Sequence, residues 1–377
     1  MNHTQTYISG NGDERRTLVV IFLRGAADGL HMVAPLGDDG YYRARPRIAL
    51  SKSEAIRLDG FFGLHPRLSP LEGIYKDGKL AIVHAAGSED NTRSHFEAQD
   101  LMEHGGVVAG GWLGRFLRTQ TVSFGGGSAL SAVALGRAVP ECFRGAPAAT
   151  VFQSLEDFSL GEGHEELLGS LARLYQSESG FLGQAGCATV QAIRRVEELR
   201  QENLQPAGGA QYGTDEFARS LAQIARLIKG RVGLEAASVD LNGWDSHFSQ
   251  GTLIEPLMAR LASGLSAFYR DLGPAIEDTT VVVMTEFGRR VEENSAFGTD
   301  HGRGSVMFVM GGGVQGGRVL GKWPGLTREL LEGPGDLPVV HNYRNVLAPI
   351  LDRHGAASDQ LARIFPDFTL SPMSLYG

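Results

Sequence analysis

The chain has 377 residues and a net charge of −8, and 51 of its residues are glycine, roughly twice the average usage. With 42 % hydrophobic and 21 % charged residues it is neither a disordered chain nor a coiled coil, and its glycines follow no collagen period. The acidic balance, without a basic stretch interleaved with aromatics, argues against a nucleic-acid partner. No apolar run nears the ~18 residues of a membrane span, so no membrane insertion is expected.

Arg15-Arg16 stand ahead of an apolar run over 18–23, a faint likeness to a twin-arginine signal. The run is shorter than the ~7–15 residues of a secretory core, and no small-residue cleavage site follows. The run therefore reads as a first buried strand, Thr17 to Leu23, and the chain as cytoplasmic in the form given. Arg24 to Gly29 is then a turn carrying one acid, Asp28. His65-Pro66 opens a helix over 68–75 that closes at Asp77-Gly78. A second strand is expected at 80–84, a polar loop at 85–93, and a helix from Ser94 to about Glu103.

The middle is less regular. A glycine loop at 125–127 and a strand at 130–135 precede a stretch, 137–212, with helical patterns at 165–176 and 191–202. It reads as a helical insertion or lid within one domain spanning 1–377. An amphipathic helix at 217–229, a strand at 235–241, a helix at 253–271, strands at 280–285 and 305–310 and a helix at 342–354 complete the chain. Alternating strands and helices predict an α/β fold with a mainly parallel sheet and helices on both faces. Cys142 and Cys187 are too few for a disulfide framework or zinc cluster and read as buried free thiols.

Two glycine motifs fail on context. Gly311 to Gly316 matches G-x-G-x-x-G after a strand, but no helix follows to receive a pyrophosphate. Gly316 to Lys322 approaches a P-loop, with Trp323 where magnesium needs Ser or Thr. No G-x-S-x-G is present, so a hydrolase elbow lacks support.

What survives is a set of acids and histidines at strand ends: Asp28, Asp245 with His247, Glu286, and Asp300 with His301. Parallel sheets build sites beyond the carboxyl ends of their strands. Carboxylates with imidazoles suit one or two divalent ions, among Zn, Mn, Mg and Ca. Each residue also has a structural reading, as a turn, cap or surface ion pair. Ser94 is the candidate nucleophile, in the positive potential of a helix start. Ser94-x-x-Glu97 is equally a capping box, and one hydroxyl cannot serve both. His95 stands beside it, and Arg93, Arg289 and Arg303 are candidate anion clamps.

Six segments in order, 22–30, 63–68, 93–99, 243–247, 286–289 and 298–302, resemble domain of unknown function 1501, a bacterial family of the alkaline-phosphatase-like superfamily. The resemblance implies a doubly wound sheet and a metal-dependent hydrolase acting on small anionic phosphate or sulfate esters. It implies Ser94 as nucleophile and Asp28, Asp245, His247, Glu286 and His301 as metal ligands, with Asp300 beside the last. This chain has D-x-H at 245–247 where the phosphatases have D-x-x-x-H, and Phe287 where they have a His ligand. A non-catalytic binding protein on the same fold is therefore the alternative. A metal-free hydrolase using Ser94 with His95 or His247 is a third reading. Many relatives carry a twin-arginine signal, which would imply a periplasmic location. The oligomeric state is left open.

Overall fold

The computed structural model describes residues 16–124, 129–156, 165–202 and 204–377. Arg15 and the 125–127 glycine loop lie outside them. The architecture is mixed α/β, with a nine-stranded, largely parallel sheet. In chain order its strands are β1 (Thr17–Arg24), β2 (Leu80–Gly87), β3 (Ala132–Leu135), β4 (Thr150–Phe152), β5 (Ala236–Asn242), β6 (Thr279–Met284), β7 (Ser305–Gly311), β8 (Arg318–Leu320) and β9 (His341–Asn342). The spatial order is β8-β2-β7-β6-β1-β5-β3-β4, with β9 beside β2.

β1 is central, parallel to β5 and β6, with Leu18 opposite Ala236 and Thr280. Both of its faces are covered, which is why its sequence is continuously apolar rather than alternating. Val19, Ile21 and Leu23 pack on one side in the core that includes α5 (Glu216–Lys229) and α6 (Gln250–Leu272). Leu18, Val20 and Phe22 pack on the other with α2 (Trp112–Phe124), α7 (Tyr343–Arg353) and α8 (Ser358–Ile364). α1 (His95–His104) follows β2.

Several elements differ from the sequence expectation. The 68–75 helix is a 3-10 turn, Pro66–Leu71, running into a short α-turn, Glu72–Lys76. α2 was not anticipated. Its apolar face of Trp112, Leu113, Phe116 and Leu117 is interrupted by Gly114, where a side chain would meet the Arg144 carbonyl at 2.5 Å. The 137–212 stretch holds the helix pair α3 (Glu165–Ser177) and α4 (Phe181–Gln201), but also β4, which extends the main sheet. Three residues are too few for a strand period to show. The 311–316 glycines form a turn into β8, with no helix after it. Both cysteines are free, and only Cys142 is buried. Among the described residues no helix is long and apolar enough to cross a membrane.

β7 is the strand that positions the site. It runs antiparallel to both neighbours, β2 and β6. Its beginning therefore lies at the sheet edge where the other strands end. Residues just before β7 meet residues just after β1, β2, β5 and β6.

Candidate metal centre

Three imidazoles and one carboxylate converge at that edge. His95 begins α1 after β2, Asp245 and His247 follow β5, and His301 precedes β7. His95 Nε2 and His247 Nε2 each lie 3.0 Å from His301 Nε2. Asp245 Oδ1 is 3.1 Å from His247 Nε2 and 3.3 Å from His301 Nε2, and its Oδ2 is 3.4 Å from His95 Nε2. Ligand atoms about 2.0–2.1 Å from a tetrahedral zinc ion stand roughly 3.3 Å apart, so the spacing of His95, Asp245 and His301 fits one ion, with His247 beside them.

The other ring nitrogens decide what these four groups hold. His95 Nδ1 is 2.8 Å from Glu286 Oε1, His247 Nδ1 is 3.2 Å from Asp300 Oδ1, and His301 Nδ1 is 2.9 Å from the Arg93 carbonyl. Carboxylates and carbonyls only accept, so each Nδ1 carries the proton and donates. A ring that is neutral in this tautomer presents a lone pair at Nε2. Lone pairs and a carboxylate facing one another are relieved by a cation or by protons on Nε2, which Asp245 lies close enough to accept. Acceptors placed behind the imidazoles are the usual support of a metal site, fixing the tautomer and the ring orientation.

The surroundings keep the carboxylates ionised. Burial opposes ionisation of Asp245, but the Arg289 hydrogen bond and charge prevail and hold it at about 2. Burial also opposes Glu286, yet hydrogen bonds from His95 and Gln99 lower its pKa. The His247 hydrogen bond lowers that of Asp300. The Glu286 hydrogen bond raises the pKa of His95, whereas burial, then Arg289, lower that of His301.

The local backbone explains the convergence. Arg289 is buried and donates to the carbonyls of Gly25, Ala26, Trp244 and Thr299 as well as to Asp245 Oδ1. It thus ties the ends of β1 and β5 to the loop before β7. Gly25, at φ +118°, lets that turn approach the next loop, since a Cβ there would lie 2.3 Å from the Asp245 nitrogen. Gly298 has the same reason, with the His247 backbone 2.3 Å from any added Cβ.

Other expected residues stand elsewhere. Asp28 does not join the cluster. Its carboxylate is buried in a two-point bond with Arg45 (2.7 and 3.1 Å), accepts from Gln250 at 2.7 Å, and caps the turn at Leu30 and His31. Arg45 provides the counter-charge a second ion would otherwise supply. Glu286 and Asp300 lie one bond behind, as acceptors for His95 and His247. Ser94 caps α1, its hydroxyl accepting from the Glu97 nitrogen at 3.5 Å. The expected arginine clamps are all engaged. Arg289 is the backbone tie just described, Arg93 bonds the His301 carbonyl and Asp336, and Arg303 bonds Glu332 and the Ser88 carbonyl.

A family model described as a protein of unknown function, DUF1501, matches residues 81–363. The chain belongs to this family. No curated protein matches it. Among solved structures, a 2-O GAG sulfatase, BT1596, is 10 % identical with a TM-score of 0.36, over 95 % of this chain and 76 % of that one. Ps i-CgsB, solved with k-i-k-neocarrahexaose, is 10 % identical with a TM-score of 0.37, over 92 % and 73 %. The PH0037 protein of Pyrococcus horikoshii is 12 % identical with a TM-score of 0.28, over 79 % and 86 %.

In this DUF1501 chain, sequence reasoning gave His95 a role in assisting Ser94, not one facing an ion. It overlooked Arg45, Gln99 and Gln250, and no spacing signals them, because they lie 17, 187 and 222 residues from their partners. His31 and His65 were also passed over, although both fall within or beside the segments that carry the family resemblance.

Proposed function

We propose that the protein hydrolyses phosphate or sulfate esters with one divalent ion held by His95, His247, His301 and Asp245. The observation that carries this reading is the clustering of His95, Asp245 and His301, whose ligand atoms lie within 4.8 Å of one another, with His247 Nε2 3.0 Å from His301 and each Nδ1 beside an oxygen. Three imidazoles and one carboxylate favour Zn²⁺ or a similar ion over Mg²⁺ and Ca²⁺, which prefer all-oxygen shells. An ion there would polarise a P–O or S–O bond and lower the pKa of a water molecule.

The chain's own residues do the remaining work. Glu286, Asp300 and the Arg93 carbonyl hold the imidazole protons away from the ion. Arg289 keeps Asp245 ionised and aimed. The side chains of Asp245 and His247 are 48 % and 44 % exposed, so substrate and water approach from that side. The start of α1 adds positive potential there, which suits an anionic ester. With the Ser94 hydroxyl turned to its own helix, the attacking group is water from solvent.

A second reading, a binding protein that does not turn over its ligand, is favoured by the engagement of Arg93, Arg289 and Arg303. The test is a panel of aryl phosphates and aryl sulfates offered to zinc-loaded protein. Ion-dependent hydrolysis that Asp245→Asn abolishes supports the enzyme. An ion-bearing protein that cleaves neither panel supports the binding reading.

A further inference from the structure

A second group of donors lies apart from the first. His31 sits in the single helical turn after Asp28, His65 precedes the 3-10 turn at Pro66, and Glu255 lies in α6. One nitrogen of each ring and one Glu255 oxygen lie within 4.8 Å of one another. The two rings are 4.8 Å apart between centroids, and His65 Nε2 is 3.9 Å from Glu255 Oε1.

His31 is the independent sign that something belongs there. The residue is 5 % exposed; one ring nitrogen bonds the Ile48 backbone, and the other has no hydrogen-bond partner. A buried imidazole nitrogen left unanswered is unfavourable, and a bound group would satisfy it. Burial pushes the pKa of His31 down to about 3.

We propose that His31, His65 and Glu255 form a second divalent-metal site, distinct from the cluster around Asp245. Two imidazoles and one carboxylate suit Zn²⁺ or Co²⁺. The ion has a way in, because Glu255 and Arg67 line an open groove of about 550 Å³ together with Ile48, Gln250 and Phe297. Two features make this site the weaker one. His65 Nδ1 accepts the Arg67 backbone N–H at 3.1 Å, so its proton lies on Nε2; an ion there must displace that proton to Nδ1, which gives up the Arg67 bond, or to solvent. Arg67 also holds Glu255 at 2.9 Å and must release it.

The test is zinc titration of the full chain after chelator stripping, followed by calorimetry. The expected result is two ions per chain, the second bound at least about tenfold more weakly. Glu255→Gln should remove the weak ion and leave the tight one, and Asp245→Asn should do the reverse. Arg67→Met, which frees Glu255, should tighten the weak site several-fold. One ion in the wild type that Glu255→Gln leaves unchanged would overturn the proposal, as would two ions persisting in Glu255→Gln. An ion that only Glu255→Gln removes would support this site and count against the first.

Discussion

Glu286→Gln separates the geometry of the proposed metal centre from the charge behind it. The Glu286 side chain is fully buried, and Oε1 accepts from His95 Nδ1 (2.8 Å), Gln99 (3.0 Å) and the Gly25 nitrogen (2.9 Å). Oε2 meets the Thr285 hydroxyl at 2.9 Å, and that hydroxyl also has the Leu23 carbonyl at 2.8 Å. A glutamine oxygen can replace Oε1, while its NH₂ donates to Thr285 Oγ1 and leaves the threonine proton to Leu23. The fold should therefore tolerate the change. What is lost is the charge on the acceptor behind His95, roughly halving that hydrogen bond and making Nε2 a poorer donor to the ion. Substitutions of this kind lower metal affinity about 10–100-fold, or about 1.4–2.7 kcal/mol. Competition with a chromophoric chelator measures it. A zinc affinity within twofold of wild type in a folded variant would refute the tautomer argument.

Ser94→Ala should cost about 1 kcal/mol of stability as a lost helix cap while esterase turnover persists, and abolished turnover would restore Ser94 as nucleophile. Arg45→Met strands the buried Asp28 carboxylate and should cost about 3–5 kcal/mol in urea unfolding. Adding Asp28→Asn should recover part of it, and an Arg45→Met variant as stable as wild type contradicts that role. Burial lowers the pKa of His84 to about 4 and of His354 to about 3, from an ordinary value of 6.5. Between those values the unfolded chain takes up protons that the folded chain refuses. Stability is thus full above about pH 6.5 and falls by about 1.4 kcal/mol per pH unit per histidine as the pH drops. A urea midpoint that stays flat from about pH 6.5 to 5 would contradict it.

The legible part of the molecule was the part governed by local pattern. β1 declared itself because burial on both faces demands an unbroken apolar run. Asp245, His247 and His301 stood out because they sit where such runs give way to glycine-flanked loops. Strand direction is not local. β7 is antiparallel, and only that direction brings His301 to the edge reached by Asp245. Depth is not local either. Glu286 and Asp300 read as ligands in the sequence, whereas in the structure each meets the Nδ1 of a histidine, His95 or His247, which depends on how each ring is turned. Asp28 has the right place at the end of β1, but Arg45 returns to it through a turn that no motif announces. At Ser94 the sequence allows both a nucleophile and a cap, and the serine caps the helix that presents His95.

Crystals grown with one equivalent of Zn²⁺, measured on both sides of the zinc absorption edge, would locate an ion among these side chains. An anomalous peak is expected about 2.0–2.1 Å from the three Nε2 atoms and from an Asp245 oxygen, with the Nδ1 contacts to Glu286, Asp300 and the Arg93 carbonyl unchanged. No peak there, with those four side chains still converged, would contradict the proposed metal centre.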